Sequence, residues 1–340
     1  MMRWGWQMRS GCIAAMVAAG GAAALAIVPG AGAQRARGST TCTPVSNIEA
    51  IIDDSGSMSS TDPNRLRVAA LDLLIETPGN EKITFGALEF GSGFLASEPA
   101  ADTVFGPEPI GPNAKAMQAA LNEKIKADNG ATDYNAAFAK AKADDPGAQA
   151  WIFLTDGGHN IGEYQNGHRG GPPTYVIGFS SATSGPDGQR LQQIATDTGG
   201  KYFPQTDSGN LQSVVNQIGT TLTCQTPPAS FKDAFSKVGA SKSHAVALAG
   251  KAKAVQLTLS WSSPLDSFTI SNLMIVSKGK AVAASARKHK LKVIRRQGST
   301  FLIVKVSQLV RGSLRFNVRA TKIGSGAPKV SLTTQVTQTR

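Results

Sequence analysis

Two patterns of apolar and polar positions follow each other along the chain. Between residues 47 and 222, short apolar runs typical of buried strands alternate with stretches whose apolar positions recur every three or four residues, as in helices. The predicted strands are 47–53, 82–90, 150–156, 174–180 and 200–203, and the predicted helices are 64–76, 113–127, 133–143, 189–199 and 210–222. This alternation predicts an α/β fold with a doubly wound, mostly parallel sheet and helices on both of its faces.

From residue 231 onward, apolar positions alternate with polar ones. Val255, Leu257, Leu259 and Trp261 are separated by single polar residues, and further short apolar runs are bounded by Gly, Ser and Pro. This pattern predicts a small all-β sandwich of about six to eight strands over residues 231–340. A proline-containing linker, 225–230, is expected to join it to the α/β domain, 47–224.

The N-terminus has the features of an export signal over residues 1–33. Arg3 and Arg9 precede an alanine-rich apolar stretch, which ends in small residues typical of a cleavage site before Gln34. A retained membrane anchor is the alternative, although the apolar stretch, 13–28, is short for a bilayer span. We therefore expect a secreted or envelope-associated, extracytoplasmic protein, and the style of the signal suggests a bacterial one.

The two cysteines outside the signal are expected to form a disulfide. Cys42 lies in the N-terminal segment 34–46, and Cys224 lies at the end of the predicted α/β domain. An exported chain folds in an oxidising compartment, where such a pair is oxidised. The bond would join the two ends of that domain, and the chain-entropy model gives about 5 kcal/mol for closing so long a loop.

Charge divides the mature chain into two regions of opposite sign. Residues 34–228 contain 13 Lys and Arg against 21 Asp and Glu, whereas residues 229–340 contain 20 Lys and Arg against 2 Asp and Glu. Such an asymmetry indicates two domains with opposite electrostatic fields.

Carboxylates and hydroxyls are concentrated directly after the first predicted strand. Asp53 and Asp54 follow two isoleucines, and Ser55 and Ser57 follow in a turn that contains a glycine. Parallel sheets of this kind bind ligands at the carboxyl ends of their strands, so these residues are candidates for a site. The alternative is that they only make turn and helix-cap hydrogen bonds, as Asp and Ser often do.

Two further segments complete a recognisable motif. Thr132 follows Gly130 at the start of a predicted helix, and Asp156 ends the buried run "AWIFLTD". Together with Asp53-x-Ser55-x-Ser57, in this order, these segments resemble the von Willebrand factor type A domain and its metal-ion-dependent adhesion site. The resemblance covers about residues 47–222 and implies the Rossmann-like α/β fold of that family.

The resemblance implies a metal site built from five residues. Ser55, Ser57 and Thr132 would offer hydroxyl oxygens, and Asp53 and Asp156 would hold the metal directly or through water. This set suits Mg²⁺, which takes oxygen ligands and uses only one or two protein carboxylates, and Mn²⁺ or Ca²⁺ can replace it. Neutral hydroxyls leave much of the charge of the ion uncompensated, so an open position would attract a Glu or Asp of a partner protein.

No enzymatic activity is expected. A phosphoaspartate hydrolase of the haloacid dehalogenase type has a second Asp two residues after the first, where this chain has Ser55. A nucleophilic serine would need a Gly-x-Ser-x-Gly turn and a histidine base, and the surroundings of Ser57 provide no such turn.

Other polar residues near the motif are assigned lesser roles. Asp54 is expected to be a solvated bystander, with tuning of the field around the metal or direct contact with a partner as the alternatives. Asp133 and Asn135 are candidates for the surroundings of the metal. His159 and His168 lie in a glycine-rich loop and are expected to be solvated, with contact to a partner or to a second metal as the alternative.

A stretch dense in Lys and Arg, residues 286–296, predicts a patch for an anionic partner. Candidate partners are an anionic cell-wall polymer, an acidic polysaccharide or a membrane surface, whereas the scarcity of aromatic side chains argues against nucleic acid. A solvated strand face and docking onto the acidic domain of the same chain are the alternatives. The patch residues are Arg287, Lys288, Lys290, Lys292, Arg295 and Arg296.

These observations lead us to expect an exported adhesion or scaffold protein. Its type A domain would capture an acidic residue of a protein partner through Mg²⁺, and its basic module would attach to anionic envelope material. The alternatives are a non-catalytic subunit or activator of an envelope enzyme complex, and a type A domain that binds no metal and serves as a spacer.

Overall fold

The computed structural model describes most of the chain that follows the predicted signal. The described residues are 42–91, 99–127, 130–179, 185–204, 210–225, 229–248, 252–277, 280–283, 292–307, 312–327 and 329–339. They lie in one compact unit, Cys42–Arg340. The predicted signal, 1–33, lies outside the described residues, as do three residues of the predicted basic patch, Arg287, Lys288 and Lys290.

An α/β part, residues 42–225, contains six strands and six helices within its described residues. The strands are β1 (Asn47–Asp53), β2 (Thr84–Phe90), β3 (Ala101–Pro109), β4 (Ala150–Thr155), β5 (Thr174–Gly178) and β6 (Lys201–Pro204). The helices are α1 (Met58–Thr61), α2 (Leu66–Glu76), α3 (Ile110–Lys124), α4 (Tyr134–Asp144), α5 (Gly185–Asp197) and α6 (Leu211–Leu222). None of the helices in the described part of the chain has both the length and the hydropathy of a membrane span.

These strands form one mixed sheet in the order β3-β2-β1-β4-β5-β6, which confirms the α/β class. Neighbouring strands are parallel except β3, which pairs antiparallel with β2 at the edge of the sheet. The sequence patterns do not predict β3, because its glycine and two prolines interrupt the alternation of apolar and polar residues. Proline cannot donate a hydrogen bond to a sheet, and an edge strand tolerates this loss.

The central strand β1 is buried on both sides. Ile48, Ala50 and Ile52 belong to a core cluster with apolar residues of α2, α3 and α6, whereas Ile51 belongs to a second cluster with α4 and α5. Successive side chains of a strand point to opposite faces, so an unbroken apolar run buries both faces. The carboxyl end of β1 is therefore held rigidly between two layers of helices.

A disulfide joins the beginning and the end of the α/β part, as predicted. Cys42 and Cys224 are bonded, with their Cα atoms 5.7 Å apart. Next to the bond, the amide of Val45 donates to the carbonyl of Leu222 at 2.8 Å. The segment before β1 is thus attached to the end of α6.

The β part, residues 229–339, contains nine strands within its described residues, one more than the largest number predicted. They are β7 (Ala229–Phe235), β8 (Ser241–Ala247), β9 (Ala254–Trp261), β10 (Ser267–Ser277), β11 (Lys280–Ala283), β12 (Lys292–Gln297), β13 (Phe301–Ser307), β14 (Ser313–Lys322) and β15 (Val330–Thr339). They form a four-stranded sheet, β11-β10-β14-β8, and a five-stranded sheet, β12-β13-β9-β15-β7. One core cluster contains apolar residues of both sheets, so the sheets pack face to face.

The outer face of the five-stranded sheet contacts α2 and α6. Leu73 of α2 is fully buried in a small cluster with Phe301 and Ile303 of β13. Beside this cluster, the guanidinium of Arg296 pairs with the carboxylate of Glu76 at 2.9 Å. The acidic α/β part and the basic β part therefore share an interface within the chain.

Polar bonds extend this interface along α6. The side chain of Asn216 donates to Gln335 at 2.8 Å, and Gln335 in turn donates to the carbonyl of Ser213 at 3.0 Å. Gln212 donates to the hydroxyl of Thr300. Buried polar groups stabilise a structure only when they are paired, and these pairs fix how the helix lies on the sheet.

Glu49 of β1 is a buried acid without a hydrogen-bond partner among the described residues. Its side chain is fully buried and packs against Gly86 of β2, where an added Cβ would lie 2.1 Å from Oε2. Burial, followed by the charges of Asp145 and Asp144, raises the pKa of Glu49 to about 9. The carboxyl is therefore protonated at neutral pH.

We expect Glu49→Gln to stabilise the protein at alkaline pH and to flatten its pH dependence. The unfolded chain releases this proton near pH 4.5, whereas the folded chain retains it up to about pH 9, so stability falls as pH rises between these values. Glutamine does not titrate, so the variant should not show this fall in the free energy of unfolding, which is on the order of a few kcal/mol. Urea unfolding near both limits measures it, and a variant as pH-dependent as the unsubstituted protein would show that Glu49 does not titrate as proposed.

Candidate functional site

The candidate site lies where β1 and β4 end side by side. These strands are parallel neighbours, with Ile52 paired with Leu154. Asp53 follows Ile52 directly and Asp156 comes two residues after Leu154, so both lie at the same edge of the sheet, where the charge of Asp156 acts on Asp53. Both carboxylates are buried, at 0% and 1% exposure.

Asp53 accepts hydrogen bonds from Ser55 and Thr155, and its pKa is perturbed. Its Oδ1 accepts from the amide of Ser55 at 2.9 Å, and its Oδ2 accepts from the hydroxyl of Thr155 at 2.5 Å. Burial, followed by the charge of Asp156, raises the pKa of Asp53 to about 6, although these hydrogen bonds oppose the shift. A cation beside these two carboxylates would offset both the burial of the Asp53 charge and its repulsion from Asp156.

The two serines connect Asp53 to Asp156. The hydroxyls of Ser55 and Ser57 are 3.1 Å apart, and Ser57 donates to Asp156 Oδ1 at 2.9 Å. Thr61 of α1 donates to the other oxygen of Asp156 at 2.5 Å. Ser57 is exposed while Ser55 is buried, so the cluster opens to solvent on the side of Ser57.

Thr132 is presented by a loop that lies against the serine turn. The amide of Gly56 donates to the carbonyl of Gly130 at 3.5 Å. Thr132 is buried, and its amide and carbonyl both bond to Asn160, at 2.8 Å and 3.0 Å. The structure thus brings all three motif segments together at one edge of the sheet.

A glycine permits the close approach of the β1 turn to the neighbouring strand. The amide of Asp54 donates to the carbonyl of Phe90 at 2.7 Å. Gly91 follows with a φ of +130°, and a Cβ there would lie 2.4 Å from the amide nitrogen of Ser55. Any side chain at this position would displace the turn that carries the two serines.

The expectation that Asp54 is a solvated bystander is wrong. Asp54 is fully buried, and its carboxylate accepts from the guanidinium of Arg67 at 2.7 Å and from the amides of Ala127 and Lys126 at 2.7 Å and 3.0 Å. Arg67 also pairs with Asp62 at 3.0 Å. Asp54 therefore anchors the chain just before the loop that carries Thr132.

The glycine-rich loop is packed, so its two histidines are not solvated as expected. His159 accepts a bond from the amide of Tyr134 at 3.1 Å, and its side chain is 2% exposed. His168 is buried between the hydroxyl of Tyr164, at 2.5 Å, and Asp197, at 3.2 Å. Burial lowers the pKa of His168. Both histidines therefore hold the loop in place.

Asp133 and Asn135 also have structural contacts. Asp133 caps α4 by accepting from the amides of Asn135 and Ala136, at 2.9 Å and 3.1 Å. The side chain of Asn135 bonds to the backbone of Glu163 and Gln165 in the glycine-rich loop. These contacts orient the helix start and the loop on either side of Thr132.

The oxygen atoms of the cluster fit a hard divalent cation. Two carboxylates and neighbouring hydroxyls are present, and Mg²⁺ prefers such oxygen ligands. Within the described residues, no group of three or more His, Cys, Asp or Glu side chains is arranged to hold a metal. A site in this part of the chain would therefore need the hydroxyl ligands.

Sequence patterns missed Thr155 and Thr61, which support the two carboxylates. Thr155 is the one polar residue of the otherwise apolar strand β4, and a buried polar residue in such a strand requires a partner. The sequence alone therefore contained a signal for the role of Thr155. The contact of Thr61 depends on how α1 folds back over the strand ends, which no local pattern specifies.

The described members of the predicted basic patch have different surroundings. Lys292 is exposed on β12, whereas Arg295 donates to the carbonyl of Ile270 at 3.3 Å. Arg296 forms ion pairs with Glu76 and Glu81 of the α/β part. Part of the patch therefore serves contacts within the chain, one of the alternatives that the sequence leaves open.

Neither a protein-family signature nor a curated protein sequence matches the chain. Among solved structures, proximal thread matrix protein 1 from the mussel byssus aligns at 16% identity and a TM-score of 0.43, over 57% of this chain and 50% of that protein. The pilus adhesin SpaC from Lactobacillus rhamnosus GG, in an open conformation, aligns at 10% identity and a TM-score of 0.43, over 88% of this chain and 44% of the adhesin.

A third similar structure is the manganese-loaded TRAP protein of Plasmodium vivax. It aligns at 18% identity and a TM-score of 0.38, over 54% of this chain and 75% of that protein. This chain spans half the length of the mussel protein and less than half of SpaC. Identities and TM-scores this low assign neither a family nor an activity to the chain.

Proposed function

We propose that the protein is an exported, non-catalytic binding protein that captures an acidic residue of a partner protein through Mg²⁺. The observation that carries this proposal is the convergence of two buried carboxylates and several hydroxyls at the ends of β1 and β4. In this proposal the α/β part is a doubly wound domain of the von Willebrand factor type A kind. The disulfide supports an extracytoplasmic location.

The residues of the site would contribute two kinds of metal ligand. Ser55, Ser57 and Thr132 would offer neutral oxygens, and Asp53 and Asp156 would supply the negative charge. Mg²⁺, or Mn²⁺ or Ca²⁺ in its place, would provide an open coordination position for a carboxylate oxygen of the partner. Because Ser57 is exposed and the neighbouring carboxylates are buried, the partner would approach from the serine side.

The buried surroundings favour capture of a charged group. Charge interactions strengthen where water is excluded, and both carboxylates of the site lie out of contact with solvent.

The β part, with 20 Lys and Arg against 2 Asp and Glu, is proposed to attach the protein to an anionic envelope polymer.

A pull-down from envelope extract tests metal-dependent capture. Unsubstituted protein and Asp53→Ala would each be used as bait with Mg²⁺ and with EDTA. We expect a set of partner proteins that is retained only by the unsubstituted bait with Mg²⁺, because either change removes the metal.

Glu49→Ala provides the matched control, since Glu49 is a buried acid toward the other end of the same strand. It should retain the same partners. Partners that survive both EDTA and Asp53→Ala would contradict metal-dependent capture. If the retained partners include an enzyme whose activity changes on binding, the protein is instead a subunit or activator of an enzyme complex.

A further inference from the structure

The side chain of Tyr134 is packed against the strand ends that carry the candidate metal site. Tyr134 is the first residue of α4 and is fully buried. Its ring packs edge-on against Phe90 at the end of β2 and against Phe153 of β4, with ring centroids 6.0 Å and 5.0 Å apart. The ring therefore contacts both of the strands that flank β1.

Asp53 points to the same face of the sheet as Tyr134. Ile51 of β1 belongs to the same core cluster as Tyr134, and so does Phe153 of β4. Side chains two residues apart on a strand point to the same face, so Asp53 and Thr155 also face Tyr134. The hydroxyls of Tyr134 and Thr155 and the carboxylate of Asp53 therefore meet on one side of the sheet.

Hydrogen bonds connect these three groups through the carbonyl of Gly157. The hydroxyl of Tyr134 donates to this carbonyl and is 3.3 Å from the hydroxyl oxygen of Thr155. Thr155 donates to Oδ2 of Asp53 at 2.5 Å and is also 3.3 Å from the carbonyl of Gly157.

The number of available protons determines which group donates to which. A carbonyl only accepts, so the proton between Tyr134 and Gly157 belongs to the tyrosine. Thr155 has one hydroxyl proton and two acceptors within reach, Asp53 and the carbonyl of Gly157. Because Tyr134 supplies the carbonyl, the proton of Thr155 is left for Asp53.

Tyr134 is also linked to all three segments of the metal-site motif. It follows Thr132 by two residues, and its hydroxyl bonds to the residue after Asp156. It reaches Asp53 through Thr155. One buried side chain thus connects the three segments.

From this geometry we propose that Tyr134 is a positioning residue of the metal site. Its hydroxyl satisfies the carbonyl of Gly157 and thereby directs the proton of Thr155 to Asp53, which holds that carboxylate in its orientation. The inference rests on the proposed metal site and adds a residue that acts on it without being a ligand.

Mg²⁺ titration calorimetry of Tyr134→Phe tests this role. Phenylalanine keeps the packed ring but leaves the carbonyl of Gly157 to compete for the proton of Thr155. Residues that hydrogen-bond a metal ligand change metal affinity by about 10–100-fold when they are replaced, so the Kd for Mg²⁺ should rise at least about tenfold.

Tyr164→Phe is the matched control. Tyr164 belongs to the same aromatic cluster, but its hydroxyl bonds to His168, at 2.5 Å. The Kd for Mg²⁺ should change less than about threefold in this variant, because the hydrogen bonds of Asp53 are intact. Urea unfolding of both variants in EDTA checks that each is folded before metal is added. Equal changes of Kd in the two variants would reduce the role of Tyr134 to packing and overturn the proposal.

A double-mutant cycle with Thr155→Val tests whether Tyr134 acts through Thr155. Thr155→Val alone should also weaken Mg²⁺ binding, because Asp53 loses the same hydrogen bond. Adding Tyr134→Phe to this variant should then change the Kd by less than about twofold, since residues that act through one bond are not additive. A second full loss would show that the two residues act independently and would overturn the proposal.

The unsubstituted protein separates this inference from the proposed function. If it binds Mg²⁺ and Tyr134→Phe binds equally tightly, the positioning role is wrong and the metal site stands. If the unsubstituted protein does not bind Mg²⁺, the proposed metal site fails, and the positioning role fails with it.

Discussion

Asp53→Asn is expected to abolish stabilisation of the chain by Mg²⁺ while leaving the metal-free fold at least as stable as before. The Asp53 carboxylate is fully buried, and both its burial and the charge of Asp156 disfavour its ionised form. Burying a charge without a counterion is costly, and an amide of the same shape removes that cost. The same amide removes one of the two carboxylate charges that are proposed to hold the metal.

Thermal unfolding in saturating Mg²⁺ and in EDTA measures both effects. A ligand that binds only the folded state stabilises it by about 2.7 kcal/mol at a concentration one hundred times its Kd. The unsubstituted protein should show a shift of this kind, and Asp53→Asn should show none. Glu49→Gln serves as the control, because it changes a buried acid near the amino end of β1, away from the proposed metal site, and should keep the shift. An undiminished Mg²⁺ shift in Asp53→Asn would remove Asp53 from the site.

Sequence patterns predict the position of Asp53 and Asp156 because strand ends follow from local apolar runs. Each aspartate directly follows or closes such a run, and parallel neighbours bring their carboxyl ends together. Thr132 required the resemblance to a known motif, since a loop between two helices has no periodicity of its own. The backbone bonds of Asn160 to Thr132 show how the fold supplies that position.

The role of Asp54 could not be predicted from its neighbours in sequence. Adjacent residues at a strand end point in opposite directions, so Asp53 and Asp54 enter different surroundings. A signal existed elsewhere, because Arg67 interrupts the apolar helix α2 and is fully buried there. A buried arginine requires carboxylates, and pairing it with Asp54 and Asp62 depends on tertiary packing.

Strands β7 and β8 are hard to recognise in the sequence for a related reason. Most of their residues are exposed, and their pairing with β15 and β14 provides the stability that their own sequence lacks. β-propensity reflects packing on neighbouring strands more than an intrinsic preference. The predicted basic patch shows the same dependence, since Arg296 resembles its neighbours in sequence but pairs with Glu76 across the interface.

Arg67→Met is expected to lower the free energy of unfolding by about 3–5 kcal/mol, the usual result of leaving buried charges without their partner. Arg67 pairs with Asp54 at 2.7 Å and with Asp62 at 3.0 Å, and all three side chains are fully buried. Methionine fills a similar volume, so the loss would come from the two uncompensated carboxylates. Urea unfolding at neutral pH measures it.

Arg190→Met is the matched control, because the pair of Arg190 with Asp187 is also close, at 3.2 Å, but more than a third exposed on average. Solvent-exposed pairs contribute about 0–1 kcal/mol, so the control should change stability very little. If both substitutions lower the free energy of unfolding equally, the buried pairs of Arg67 stabilise the fold no more than the exposed pair of Arg190. If Arg67→Met is strongly destabilising, the triple variant Arg67→Met, Asp54→Asn and Asp62→Asn should recover part of the loss, because removing all three charges removes the uncompensated ones. The part not recovered includes the weakened hydrogen bonds of Asp62 to the amides of Leu66 and Arg67 and of Asp54 to the amides of Lys126 and Ala127. The bonds of Asp54 anchor the chain before the loop that carries Thr132.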